Sequence, residues 1–235
     1  MKPLVPPDRL HLHMTRFRDA AHRFWIEWMR PLAVTALVLG SFRSAVADWN
    51  DVPTGSMRPT VLEGERVFIN RAAYDLKVPF TTWRLAQWSD PSRGDIVVLY
   101  SPHDGTRLLK RVVGVPGDRI EMKDNRLIVN GTTAVYHDTA TPDGEASVWQ
   151  ESIFNREHLV ELASGRTAAS TFGPVVVPPQ RYLVMGDNRD NSFDSRYFGF
   201  VPRSEILGQA TRVVASVDPA RSFRPRFERF MKALE

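Results

Sequence analysis

Cysteine is absent from the 235 residues, which removes disulfide frameworks, thiolate metal sites and thiol nucleophiles together. Long hydrophobic runs are scarce: only Pro31 to Phe42 is uninterruptedly apolar. No internal repeat or low-complexity tract is present, so fibrous and disordered classes do not fit. The net charge is only +4, and the basic residues are spread along the chain and heaviest at its two ends. That pattern points away from nucleic acid and makes a membrane surface the expected anionic neighbour. What is present is 43% apolar content, enough over this length for one core domain with a smaller insertion.

Residues 1 to 23 form a basic leader, with Lys2, Arg9, Arg16, Arg18 and Arg23 against Asp8 and Asp19. The apolar run follows, extended beyond Arg43 by Ala45-Val46-Ala47, with Trp25 and Trp28 at its near edge and Trp49 at its far edge. Interfacial aromatics and a positive leader predict a membrane anchor over residues 24 to 47, N-terminus in the cytoplasm and the rest of the chain outside. Arg43 then snorkels outward. Two other readings compete: a buried core helix, and a cleavable signal peptide with Ala45-Val46-Ala47 as its A-x-A site.

Beyond residue 48 the pattern becomes mainly β. Arg66 to Asn70, Asp95 to Tyr100, Thr106 to Val115, Arg119 to Lys123, Arg126 to Val129, Arg181 to Met185 and Leu207 to Ser216 read as strands, with Asp124-Asn125 and Asn130-Gly131 as hairpin turns. The organisation is a catalytic β domain in two parts, 48 to 135 and 181 to 218, around an inserted cap region, 136 to 180. The middle of that cap, VWQESIFNREHLVEL, fits helix or strand. Pro79 to Trp88 is an aromatic-rich interruption. Residues 219 to 235 form a basic amphipathic tail whose Phe227, Phe230, Met231 and Leu234 fall at helical spacing.

Chemistry concentrates in three stretches. Pro53-Thr54-Gly55-Ser56-Met57-Arg58-Pro59-Thr60 reads as a tight irregular turn that holds the Ser56 hydroxyl on an ordered loop. Thr106 to Val115 places Lys110 inside an apolar strand, on the face of Leu108 and Val112 and opposite Arg111. To act as a base, such a lysine needs its pKa brought from about 10.4 to near 7, roughly 4 kcal/mol, which desolvation can supply. Met185 to Pro202 is dense in Asp, Asn, Ser and Arg. Its spacing fails as a calcium loop, since Ser195 stands where glycine is needed and Val201 where glutamate is. Two readings stay open: a structural turn whose side chains bond their own backbone, or one in which Ser192 or a neighbouring carboxylate orients the lysine.

The sequence resembles the bacterial type I signal peptidases, membrane-anchored Ser-Lys proteases. The likeness rests on PTGSMRPT, RGDIVVLY, LLKRVVGVPGD and GDNRDNSFDSRYFGFVP, four blocks in the family's order between about Pro31 and Ala210. It implies Ser56 as nucleophile, Lys110 as general base, Ser192 bonded to the lysine with Asp194 as a structural aspartate beside it, and an oxyanion hole from Thr54 and the Ser56 amide. Threonine replaces the family's frequent serine at 54, and the chain shows one span where some members have two. Small-residue pockets map onto Val52, Met57, Val61, Leu108 and Leu109. The fold implied is an irregular β-sheet or barrel-like protease domain, with no cofactor and no metal. Exported preproteins are the implied substrates, cut at Ala-x-Ala sites on the outer face of the inner membrane. No oligomeric state is implied. A specialised peptidase for pilus or conjugation subunits, a self-cleaving repressor and a catalytically inactive binding module are the alternatives.

Overall fold

The computed structural model describes residues 22–81, 83–139, 146–163 and 170–234; most of the basic leader lies outside them. The chain divides into two compact units, Met1–Ser44 and Ala45–Glu235.

In the first unit a π-helical turn, Trp25–Met29, runs into helix α1, Arg30–Ala45. Leu32, Val34, Leu37, Val38, Leu39 and Phe42 of α1 are all exposed. Among the described residues no helix is long and apolar enough to cross a membrane: α1 has 16 residues, about 24 Å at 1.5 Å per residue.

The second unit is built of strands. In chain order they are β1 (Ala47–Val52), β2 (Glu65–Asn70), β3 (Asp75–Lys77), β4 (Arg84–Gln87), β5 (Ile96–Tyr100), β6 (Arg107–Gly114), β7 (Arg119–Lys123), β8 (Arg126–Val129), β9 (Thr132–Thr133) and β10 (Val135–Asp138). There follow β11 (Ala146–Ile153), β12 (Arg156–Ala163), β13 (Phe172–Val176), β14 (Arg181–Met185), β15 (Val201–Pro202), β16 (Ile206–Asp218) and β17 (Arg224–Pro225). The main sheet has the order β1-β2-β16-β5-β6-β14-β15, with β17 on β16. Smaller sheets are β13-β7-β8-β9, β10-β11-β12 and β3-β4.

Two burial patterns underlie the seven expected strands, alternation in those with one covered face and continuous apolar runs in those covered on both. In β2 the inward Val67 and Ile69 are fully buried between less buried neighbours, the period a one-sided sheet requires. Central β5 reads IVVLY with its first four residues buried, as a strand covered on both faces should. Asp124-Asn125 and Asn130-Gly131 take positive φ at both positions, the geometry of two-residue hairpin turns whose twist matches the strands.

Two expectations need correction and one open reading is resolved. The expected anchor runs through Ala47, yet α1 stops at Ala45 and Ala47 opens β1 opposite Asn70. The carbonyl of Val46 there accepts the Arg71 N–H at 2.9 Å, so the sheet claims these residues. The ambiguous cap segment is the hairpin β11–β12, turned at Phe154-Asn155, again at positive φ. The tail is not a helix: only Phe227–Arg229 make a 3-10 turn, Met231 has φ 59°, and Ala233 bridges Arg212. Arg229 is drawn out of any helical register by Glu65, which accepts it at 2.6 and 2.9 Å.

Candidate active site

Ser56 follows β1 by four residues, in the turn where Arg58 N–H bonds the Gly55 carbonyl at 3.1 Å. Gly55 sits close to flexible side chains and not in left-handed backbone. A Cβ there would strike the Glu63 carboxylate and the Arg58 side chain. Lys110 arrives from the middle of β6, between Val97 on β5 and the start of the β14 pairing. It is only 3% exposed. Its Nζ lies 2.7 Å from Ser56 Oγ and donates to the Leu109 carbonyl at 3.1 Å.

Burial brings the Lys110 amine down to about 8. The Asp194 and Asp187 carboxylates work against that, and Arg196 reinforces it. Desolvation dominates because both acids spend their charge elsewhere. Asp194 accepts from Arg196 Nε and Nη2 at 2.8 Å each and from the Gly186 N–H at 3.0 Å. Asp187 takes Arg111 in a two-pronged ion pair, 2.8 Å on both sides, plus the Thr60 hydroxyl at 2.6 Å. A lysine that is neutral over part of the accessible pH range, in contact with a hydroxyl, can take that hydroxyl's proton; this is the chemistry of an activated nucleophile.

Of the remaining expected residues, Val52, Met57, Val61 and Leu109 are buried in a single apolar cluster, and Leu108, partly buried, packs against another. Thr54 is exposed two residues before Ser56. The hydrogen bond expected from Ser192 to the lysine is not among those formed. Its buried hydroxyl makes none of ordinary geometry among the described residues, and its weak influence falls on Asp194.

Gly186 escaped the sequence reading. It lies between the two halves of the site, where a Cβ would overlap the Ser56 carbonyl and the Ser192 hydroxyl. Its place one residue after a buried strand was the available signal. Because one obstacle is backbone, Gly186→Ala is expected to cost about 1–3 kcal/mol of stability. By displacing Ser56 it should also lower kcat about 10²-fold, read from steady-state kinetics on the folded variant.

Residues 25–215 match the family model described as signal peptidase, peptidase S26. The signal peptidase I of Pseudomonas fluorescens is 35% identical over 215 residues, covering 85% of this chain and 75% of that protein. The signal peptidase I P of Bacillus subtilis subsp. natto is 33% identical over 202 residues, 83% of this chain and 92% of that one. A crystal structure of a signal peptidase I from Enterococcus faecalis V583 aligns at 29% identity and a TM-score of 0.36, over 52% of this chain and 98% of that one. A serine within reach of a desolvated lysine, on a chain matched over most of its length by that family model, leads to one conclusion: the protein belongs to the signal peptidase family, peptidase S26.

Proposed function

We propose that this protein is a serine endopeptidase that removes signal peptides from exported preproteins by acyl transfer. The observation that carries the reading is the 2.7 Å contact between Ser56 Oγ and a lysine amine brought down to about 8. In its neutral form Lys110 accepts the Ser56 proton as Oγ attacks the scissile carbonyl. The Thr54 hydroxyl and the Ser56 amide stabilise the oxyanion, a role worth on the order of 3 kcal/mol per donor. The protonated amine then serves the leaving nitrogen, and, neutral again, activates water to release the acyl group. Small apolar pockets walled by Val52, Met57, Val61, Leu108 and Leu109 give an Ala-x-Ala preference, because an apolar wall rejects bulk sharply.

The enzyme is held at the inner membrane by the helical segment that ends at Ala45, with its catalytic domain outside. Helical backbone runs without a break from residue 22 to 45, the π-turn included, which meets the ~20 residues a span requires. The exposed apolar side chains around α1 support the same reading. Phe80, Trp83, Leu85 and Trp88, each more than half exposed on the β3–β4 hairpin, supply a second lipid contact. Their hairpin is rooted rigidly by buried Asp75, which pairs with Lys77 and with Arg203 at 2.9 Å. In vesicles of brominated phosphatidylglycerol holding the full chain, tryptophan quenching should therefore fall on Trp83→Phe. Unchanged quenching would remove the hairpin from the membrane.

The test of the activity is cleavage of a preprotein bearing an Ala-x-Ala site, with product mass as the readout. Wild type should cut after the second alanine and Ser56→Ala should not. A folded but inert wild type would move the specialised peptidase and the binding module ahead.

A further inference from the structure

Residues 187–189 bond on one side to the nucleophile loop and on the other to the inserted hairpin. Toward the site, the Asn188 N–H donates to the Ser56 carbonyl at 3.1 Å, and Asp187 holds Thr60 and Arg111. Toward the insertion, Glu161 N–H donates to the Asp187 carbonyl at 2.9 Å, and Arg189 N–H to the Glu161 carbonyl at 3.0 Å. The Arg189 side chain then runs into the hairpin. Its Nη1 and Nη2 each donate to Glu151 at 2.7 Å. Glu151 is 0% exposed and Arg189 1%. The same carboxylate accepts the Tyr136 hydroxyl and has His158 Nε2 at 3.3 Å.

A buried ion pair is a poor source of stability compared with apolar packing of equal volume, but a two-pronged guanidinium–carboxylate pair fixes direction strongly. Here the direction fixed is that of the backbone bonded to Ser56. Oγ and carbonyl belong to the same residue, so displacement of Asn188 carries Oγ away from the lysine.

We infer that Glu151, on the inserted hairpin, is a positioning residue for the Ser56–Lys110 pair, acting through Arg189 and Asn188. The inference rests on the catalytic reading above and deepens it: the insertion does more than cover the domain, because it tensions the loop that carries the nucleophile. His158 and Tyr136 complete the carboxylate's shell from β12 and β10, so Glu151 stays paired on every side.

The experiment compares full-length wild type, Glu151→Gln and Glu157→Gln in preprotein cleavage across pH. Glu157 is exposed on the same hairpin and serves as control. Glu151→Gln keeps the size and one acceptor but loses the charge. It should lower kcat about 30- to 100-fold with KM within about threefold, the size of effect that a displacement of about 1 Å produces. Its rising limb of kcat should also move to higher pH, since a loosened loop admits water to Lys110. Glu157→Gln should match wild type. A kcat within twofold of wild type overturns the proposal. So does a loss accounted for by the unfolded fraction with the limb unmoved. Should Glu151→Gln fail to fold, Arg189→Lys keeps the charge and removes the fork, and must show the same kcat loss and limb shift or the proposal fails. An inert wild type removes the catalytic reading and this inference with it, an outcome distinct from an active wild type matched by an active Glu151→Gln.

Discussion

Lys110→Met lowers kcat for preprotein cleavage by about 10⁴-fold or more, while the folded domain becomes no less stable. The activity loss follows because, among the described residues, Lys110 is the base in contact with Ser56 Oγ; without it the hydroxyl is a poor nucleophile at neutral pH. Stability moves the other way because the amine sits 3% exposed, where its charged form is penalised by desolvation. Methionine fills similar volume without that penalty. Ser56→Ala should cost as much activity as Lys110→Met, and the double variant no more than either, since residues that act as a unit are not additive. Equal and independent losses that multiply in the double variant would show that the two side chains do not share one step.

The second large effect falls on stability. Asp187→Asn leaves Arg111 charged and 2% exposed without the carboxylate that takes both its nitrogens at 2.8 Å. Removing one partner of a buried pair costs about 3–5 kcal/mol, read as a lower urea midpoint at unchanged slope. The contrast is Asp51→Asn. Its pair with Arg66 is surface-exposed, and such pairs contribute about 0–1 kcal/mol. Similar shifts for the two variants would contradict this ranking of the charges.

How much of this the chain reveals by itself depends on the range of the signal. Strands β2, β5 to β8, β14 and β16 are legible because their signal, apolar alternation or a short continuous apolar run, is local. Ser56 and Lys110 are legible only together, through the blocks PTGSMRPT and LLKRVVGVPGD in the family's order; a serine on a Gly-Pro turn or a lysine in a strand is ordinary on its own. The hairpin β11–β12 is not, since VWQESIFNREHLVEL carries polar residues on both faces of either periodicity. Nor is the Glu151–Arg189 pair: nothing in a polar strand marks which glutamate will be buried against an arginine 38 residues away. The tail misleads because its apolar spacing is helical, while Arg226 and Arg229 are claimed by Glu63, Ser216 and Glu65. Long-range hydrogen bonds and one ion pair override local periodicity there.

The central claim is that Lys110 works as a neutral base on Ser56, and the dependence of kcat on pH tests it most directly. A base must be deprotonated to act, so activity rises with pH through the amine's pKa. With burial holding that amine at about 8, kcat should climb tenfold per pH unit below about 7.5 and level off above about 8.5. A rising limb near 6.5, the range of a histidine, or a flat profile across that window would contradict the account.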